Sequence, residues 1–133
     1  MSGLHMDMAF CERVGAVLEE MHQNCRSLLY ALVLTDDGFE VANNGGDAAG
    51  HRRVASMASS IQALGDAVAN EVQMGGANYL IIAGEQGNFI QLGIPGYDLI
   101  LVAYFADIET VGKALSIARL ASQEISQIQA EVA

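Results

Sequence analysis

Apolar runs and helix-period stretches alternate along the chain in an order that predicts one layered sheet. The run from Leu28 to Leu34 is apolar throughout, as expected of a central strand covered on both faces. A Thr-Asp-Asp-Gly turn follows, in which Asp side chains accept from nearby N–H groups and Gly38 adopts a positive φ at little cost. This turn predicts a hairpin whose second strand is short, from Phe39 to Asn43.

Three further apolar runs predict strands, and Gly-containing turns separate them. They cover Asn78 to Ala83, Asn88 to Ile94, and Leu99 to Phe105. Within the middle run, apolar residues from Ile90 onward alternate with other types, which predicts that one face is buried.

Three stretches repeat apolar residues at three- and four-residue steps, which is typical of helices. The first is capped by Asp7 and ends near Asn24, the second runs from about Ala48 to Gln73, and Asp107 is the predicted cap of the third. The apolar stripes are Phe10, Val14, Val17, Leu18, Met21; then Val54, Met57, Ile61, Leu64, Val68, Val72; and, as the buried stripe of the last helix, Ile108, Val111, Leu115, Ala118, Ile125, Ile128, Val132. The predicted order is α-ββ-α-βββ-α, an α/β (α+β) chain with antiparallel hairpins and helices on the sheet faces.

Length and composition favour one domain. The chain has 133 residues, of which 52% are hydrophobic, enough for a sizeable core. We predict a single domain over residues 7–133 and set residues 1–6 aside as a disordered start or cloning scar. The start lacks a secretory pattern, and the longest apolar run, Leu99 to Ala106, is too short to span a membrane. Cys11 and Cys25 are interpreted as free, reduced thiols of a cytoplasmic protein, because a helix would hold them about 20 Å apart.

The net charge of −10 argues against nucleic acid and anionic membranes as partners, because both require clustered Lys and Arg. The acidity either gives solubility or matches a basic partner surface.

No motif predicts catalysis, a metal or a cofactor. The segment Gly45 to Arg52 resembles a phosphate-binding loop in glycine spacing alone, because it lacks the Lys and Ser/Thr that follow the last Gly. The histidines His5, His22 and His51 are far apart and are expected on polar surfaces or at termini. Asp36 and its neighbour are explained by the hairpin turn.

Two features of the second helix suggest binding. Its many small residues either let a copy of the helix approach closely or merely fit against the sheet, and the sequence leaves both open: Ala55, Ala58, Ser59, Ala63, Gly65, Ala67, Ala69. The adjacent pair Arg52 and Arg53 either is solvated or paired with Asp47, or contacts a partner, since Arg is enriched in binding hot spots.

The chain resembles the Roadblock family, the dynein light chain roadblock-type domain, along nearly its whole length. The segments that carry the resemblance are Leu32 to Ala42, the helix Val54 to Val72, Leu80 to Gly84, Phe89 to Leu92, Leu99 to Ala103, and the helix beginning near Gly112. The resemblance implies a five-stranded antiparallel sheet of order 2-1-5-4-3, with the middle helix on one face and the terminal helices on the other, a profilin-like sandwich.

The resemblance also implies a homodimer in which the edge strand pairs with its copy and the two middle helices pack together. An exposed apolar edge strand agrees with this, since it is an aggregation hazard unless paired. The expected dimer residues are Tyr79, Leu80, Ile81, Ile82, Ser59, Ala63 and Ala67.

The function implied is a noncatalytic regulatory or scaffold module for a small Ras-like GTPase, as an activator or as a polarity regulator. No arginine finger is identifiable, so activation would be indirect. We expect Arg52, Arg53, Ser56 and Ser60 to face the partner. The alternative is a small-molecule sensor, whose pocket would lie between the sheet and the terminal helices.

Overall fold

The computed structural model describes residues 3–130, and its elements follow the predicted order. A 3-10 helix, Leu4–Met6, precedes the first of three α-helices. The elements are α1 (Met8–Asn24), β1 (Leu28–Thr35), β2 (Glu40–Asn44), α2 (Ala48–Glu71), β3 (Tyr79–Ala83), β4 (Gly87–Gly93), β5 (Leu99–Ala106) and α3 (Val111–Ser126).

The five strands form one antiparallel sheet in the order β2-β1-β5-β4-β3. The fully apolar β1 and β5 are central, as expected of runs buried on both faces. β2 and β3 are the edge strands, so one side of β3 has backbone N–H and C=O groups that no other strand of the sheet pairs with. The predicted fold class and strand order are confirmed.

Helices cover both faces of the sheet. α1 and α3 pack on one face over the larger core, which includes Phe10, Leu18 and Phe105. α2 lies on the other face over a smaller core that includes Leu32 and Val102. The predicted distribution of the helices is therefore confirmed.

The chain start departs from expectation. The sequence places residues 1–6 outside the fold, whereas Leu4 is 4% exposed and belongs to the larger core. Its burial reflects the 3-10 turn, which folds the segment back onto α1 and β2. Residues 1 and 2 lie outside the described residues.

Helix capping follows the prediction at one helix and differs at another. Asp7 Oδ1 accepts from the N–H of Phe10 at 3.1 Å and caps α1. α3 is capped by Thr110 instead of Asp107, through a 3.2 Å bond from the N–H of Lys113, because the helix begins later than predicted. Ile108 therefore lies before the helix and is 79% exposed instead of buried. Val132, the last predicted stripe residue, lies outside the described residues.

The small residues of α2, and not most of its large apolar residues, face the sheet. Three alanines, Ala55, Ala58 and Ala69, are buried, so the small residues at these positions fit against the sheet. Ala63 and Ala67 are exposed instead. Small side chains bring α2 near the strands, and a Cβ added to Gly65 would lie 2.9 Å from Leu80 Cδ2. Most large apolar residues of the helix, from Met57 to Val72, are consequently exposed, whereas Val54 and Ile61 stay half-buried on the sheet side.

One polar residue in β4 is completely buried. Gln91 is 0% exposed, because α2 covers the face of β4 that the alternation pattern left open. Its Nε2 donates to the carbonyl of Ala58 at 2.9 Å and to Gln62 Oε1 at 3.3 Å. Its Oε1 has no hydrogen-bond partner among residues 3–130. Gln91 therefore ties the sheet to the middle of α2.

Candidate functional site

An apolar surface of the chain follows the outer side of α2. Met57, Leu64, Val68 and Val72 recur at helical spacing and are between 52% and 66% exposed. Beside them Ile82, on edge strand β3, is 55% exposed. We call these five residues the α2–β3 face. Monomeric proteins rarely expose a large contiguous apolar patch, so a surface of this kind indicates an interaction site.

A groove of about 270 Å³ extends this face over the sheet. Tyr30, Tyr104 and Phe89 lie opposite one another on adjacent strands, and Ile82 completes the row. Met57 closes the groove from the α2 side. Burial, followed by the nearby Tyr104 hydroxyl, raises the pKa of Tyr30. The Tyr30 ring therefore remains neutral at physiological pH.

The four β3 residues expected at the dimer seam point to opposite faces of the sheet. Leu80 and Ile82 point toward α2, where Leu80 contacts Gly65. Ile81 packs against the larger core on the other face, and Tyr79 shares that side by alternation. Only Leu80 and Ile82 therefore lie on the sheet face that carries α2.

The expected dimer residues on α2 also divide. Ala63 and Ala67 are exposed, along the same helix as Leu64 and Val68. Ser59 lies apart, because it is half-buried and its hydroxyl donates to the carbonyl of Asp36 at 3.1 Å. Ser59 thus holds α2 to the β1–β2 turn of the same chain.

The four residues expected to face a partner do not form one site. Arg52 and Ser56 line a cleft of about 390 Å³ between α2 and the β1–β2 hairpin. Arg53 lines a different cavity beside Tyr30. Ser60 is exposed further along α2. Neither arginine forms an ion pair with another residue between 3 and 130.

The hairpin side of the first cleft carries a fixed negative charge. Thr35 Oγ1 donates to Asp37 Oδ1 at 2.5 Å, and this bond holds the pKa of Asp37 below its usual range. Phe39 is exposed beside it, and its ring stacks on His5 at 4.5 Å between centroids. Sequence reasoning missed this aromatic residue, because an isolated Phe after a turn reads as the first residue of a strand.

His51 is buried, contrary to the expected polar surface. Its Nε2 lies 2.6 Å from the carbonyl oxygen of Gly45, and its Nδ1 lies 3.7 Å from Glu40 Oε1. Gly45 has a φ of +80°, and a Cβ there would lie 2.4 Å from the carbonyl oxygen of Leu29. The Gly45–Gly46 segment is thus a tight structural connection between β2 and α2.

Among residues 3–130, no cluster of three or more His, Cys, Asp or Glu side chains is arranged to hold a metal ion. Within the same range, no helix combines the length and the apolar character needed to cross a bilayer. The layer where a sensor pocket was expected is filled by completely buried side chains such as Val14, Leu101 and Ile125.

Comparisons with known proteins agree with this architecture. The family model described as the Roadblock/LC7 domain matches residues 15–105. No curated protein matches the chain.

Several solved structures share its fold. The gliding protein MglB of Thermus thermophilus is 22% identical, with a TM-score of 0.79, over 90% of this chain and 90% of that one. MglB in a tetrameric arrangement is also 22% identical, with a TM-score of 0.80, over 90% and 89% of the two chains. Myxococcus xanthus MglB is 14% identical, with a TM-score of 0.79, over 88% and 87%. The structural likeness and the family match converge: this chain belongs to the Roadblock/LC7 domain family.

Proposed function

We propose that this chain is a noncatalytic, homodimeric regulatory module that binds a small Ras-like GTPase in the cytoplasm. The single observation that carries the proposal is the α2–β3 face, an apolar helix stripe beside an unpaired sheet edge. Antiparallel pairing of two β3 strands would turn two five-stranded sheets into one continuous sheet. The same two-fold operation brings the two α2 stripes together on one side of it.

The exposed apolar side chains of the α2–β3 face would supply a large part of the free energy that holds two copies together. Covering a side chain that is half to two-thirds exposed stabilises by about 1–2 kcal/mol. Ten such side chains, five from each copy, give about 10–20 kcal/mol before the cost of association, which is about 4–15 kcal/mol. Backbone hydrogen bonds along the paired β3 edges add to this sum. Taken at the middle of both ranges, the apolar contribution exceeds the cost of association by about 5 kcal/mol. A micromolar dissociation constant corresponds to about 8 kcal/mol, so the backbone hydrogen bonds along β3 must supply the rest.

The first test measures the dimer. A charge at Ile81, one of the β3 residues expected in the dimer, would also disturb the core of the chain, since Ile81 packs against it. Ile82→Glu and Leu64→Glu place the charge on exposed positions and leave the core intact. We expect both variants to be monomeric by light scattering at micromolar concentration, because each charge should raise the dissociation constant of the dimer at least about 100-fold. Ile108→Glu, an equally apolar and exposed position, is the matched control and should remain dimeric. A monomeric native chain would refute the dimer.

The second test concerns the partner. The GTPase assignment is supported by the family resemblance and by the two arginines on α2, Arg52 and Arg53, which form no ion pair with other described residues. Ras-like GTPases encoded by the same organism are titrated with the chain in their GDP and GTP-analogue states. We expect one state to bind more tightly, and the double variant Arg52→Ala/Arg53→Ala to weaken it about tenfold. Absence of binding in both nucleotide states would reject the GTPase assignment and leave the dimer untouched.

A further inference from the structure

α1 and α3 lie side by side on the sheet face opposite α2, and they run antiparallel. At one end Cys25 Sγ lies 3.9 Å from Glu109 Oε2, just before α3 begins. At the other end the ring of Phe10 lies 5.2 Å from that of Tyr97, whose hydroxyl donates to the carbonyl of Ile128 just beyond α3. The two helices therefore face each other over most of their length.

A groove with a volume of about 150 Å³ opens between them. Its apolar lining comes from Val17 and Met21 on α1 and from Ile117 and Ala121 on α3. Leu120 stands at its rim and is 59% exposed. The lined part of α3, residues 117–124, is about 10 Å long, or two helical turns. The cavity accommodates about one large apolar side chain.

The charged residues that line this groove are acidic. Glu20 contributes from α1 and Glu124 from α3, and both are exposed. No Lys or Arg lines the groove within the part of the chain that the structure describes. Over the same range, neither carboxylate takes part in an ion pair. A cationic group placed above the groove would therefore be attracted from both walls.

We propose that this groove binds a basic amphipathic helix of a partner protein. One large apolar side chain of that helix enters the cavity and contacts Leu120, and Lys or Arg side chains on either side of it lie near Glu20 and near Glu124. A helix fits because a groove between two helices receives a third by ridge packing, with anchors spaced three and four residues apart. The net charge of −10 adds long-range attraction for a basic segment.

Binding in this groove requires neither the dimer nor the GTPase. The groove lies on the face opposite the α2–β3 face, so both surfaces can be occupied at once. In a dimer built through β3, the two grooves would lie on the same side of the continuous sheet. Such an arrangement would recruit two copies of a basic segment to one regulatory module.

The test uses two synthetic helical probes of about 18 residues, long enough to form helix in water. Both carry Leu on one face, and the other face carries Lys in the first probe and Glu in the second. Binding to the native chain is measured by fluorescence anisotropy at about 0.15 M salt, where nonspecific attraction is screened beyond about 8 Å. We expect the Lys probe to bind and the Glu probe to bind at least about tenfold more weakly.

Variants locate the binding site. Leu120→Asp and the double variant Glu20→Lys/Glu124→Lys should each weaken the Lys probe at least about tenfold. The control Glu12→Lys/Glu19→Lys makes the same charge change on exposed positions of α1 outside the groove, and it should change the affinity less than about threefold. All substituted positions are exposed, and urea denaturation checks that each variant is folded.

Three outcomes would overturn the proposed binding of a basic helix in the groove, and one would support it. Equal weakening by the two double variants would mean general electrostatic attraction and would overturn the proposal. Binding that Leu120→Asp leaves unchanged but Leu64→Asp abolishes would assign the probe to the α2–β3 face and would equally overturn it. Failure of the Lys probe to bind the native chain would do the same. Amide shifts confined to Val17, Ile117 and Ala121 on addition of the Lys probe would support it.

Discussion

Replacement of Gln91 by leucine tests whether the polar contact between the sheet and α2 stabilises the fold or only fixes where α2 lies. The Gln91 side chain is 0% exposed and donates to Ala58 and Gln62, while its Oε1 has no partner among the described residues. Leucine has nearly the same size and removes both the donor and the orphaned oxygen.

The opposing contributions are similar in size. Loss of two neutral hydrogen bonds lowers the free energy of unfolding by about 1–3 kcal/mol. Removal of the buried, unsatisfied side-chain carbonyl raises it by about 1–3 kcal/mol. The acceptors are not left isolated, because the Ala58 carbonyl lies inside α2 and Gln62 is half-exposed. We therefore expect Gln91→Leu to change the free energy of unfolding by less than about 1 kcal/mol. Gln91→Ala adds a cavity at the same site and should cost about 2–4 kcal/mol.

Urea denaturation at one fixed protein concentration measures both variants, since association shifts apparent stability. The comparison of Leu with Ala at the same position separates the polar contribution from the packing contribution. If Gln91→Leu costs more than about 2 kcal/mol, the buried oxygen must be satisfied in solution, and the reasoning fails. A leucine variant that is stable but dimerises less well would indicate that the polar contact fixes the position of α2.

Three further predictions concern the core, a connection and a titration. Leu4→Ala should lower the free energy of unfolding by about 2–4 kcal/mol in urea, because the side chain is buried; a change below about 0.5 kcal/mol would place it outside the core. Gly45→Ala combines a positive φ with a clash against the Leu29 carbonyl oxygen, so it should lower the free energy of unfolding in urea by about 2–4 kcal/mol. Gly75→Ala, at φ +82° in open space, should lower it by about 1 kcal/mol. Equal losses for the two variants would contradict the clash at Gly45. Thr35→Val removes the bond that lowers the pKa of Asp37, so NMR titration should find that pKa raised toward its usual value. The folded chain favours the Asp37 carboxylate, so this group stabilises the fold at pH values above the pKa that it has in the unfolded chain. That stabilisation is lost as the pH falls through the lower pKa of the folded chain. The loss of stability in acid should therefore be smaller in Thr35→Val than in the native chain.

The periodicity of the chain by itself determined the element order and most of the sheet. The apolar runs of β1 and β5 are long and unbroken because both strands are buried on both faces, so their central position follows from the pattern. The Asp-Asp-Gly turn and the Asp7 cap are local hydrogen-bonding features, and local features are readable from neighbouring residues.

Only the tertiary structure decided which side of α2 faces the sheet. Helical periodicity places Met57, Leu64 and Val68 on one stripe, but it does not distinguish a stripe that packs inward from one left for a partner. The close approach of α2 to the strands decides which side packs inward, because only the side with small residues fits over Gln91 and Leu80. The same limit applies to the groove between α1 and α3, since its two walls are about 100 residues apart in sequence and meet only in the folded chain.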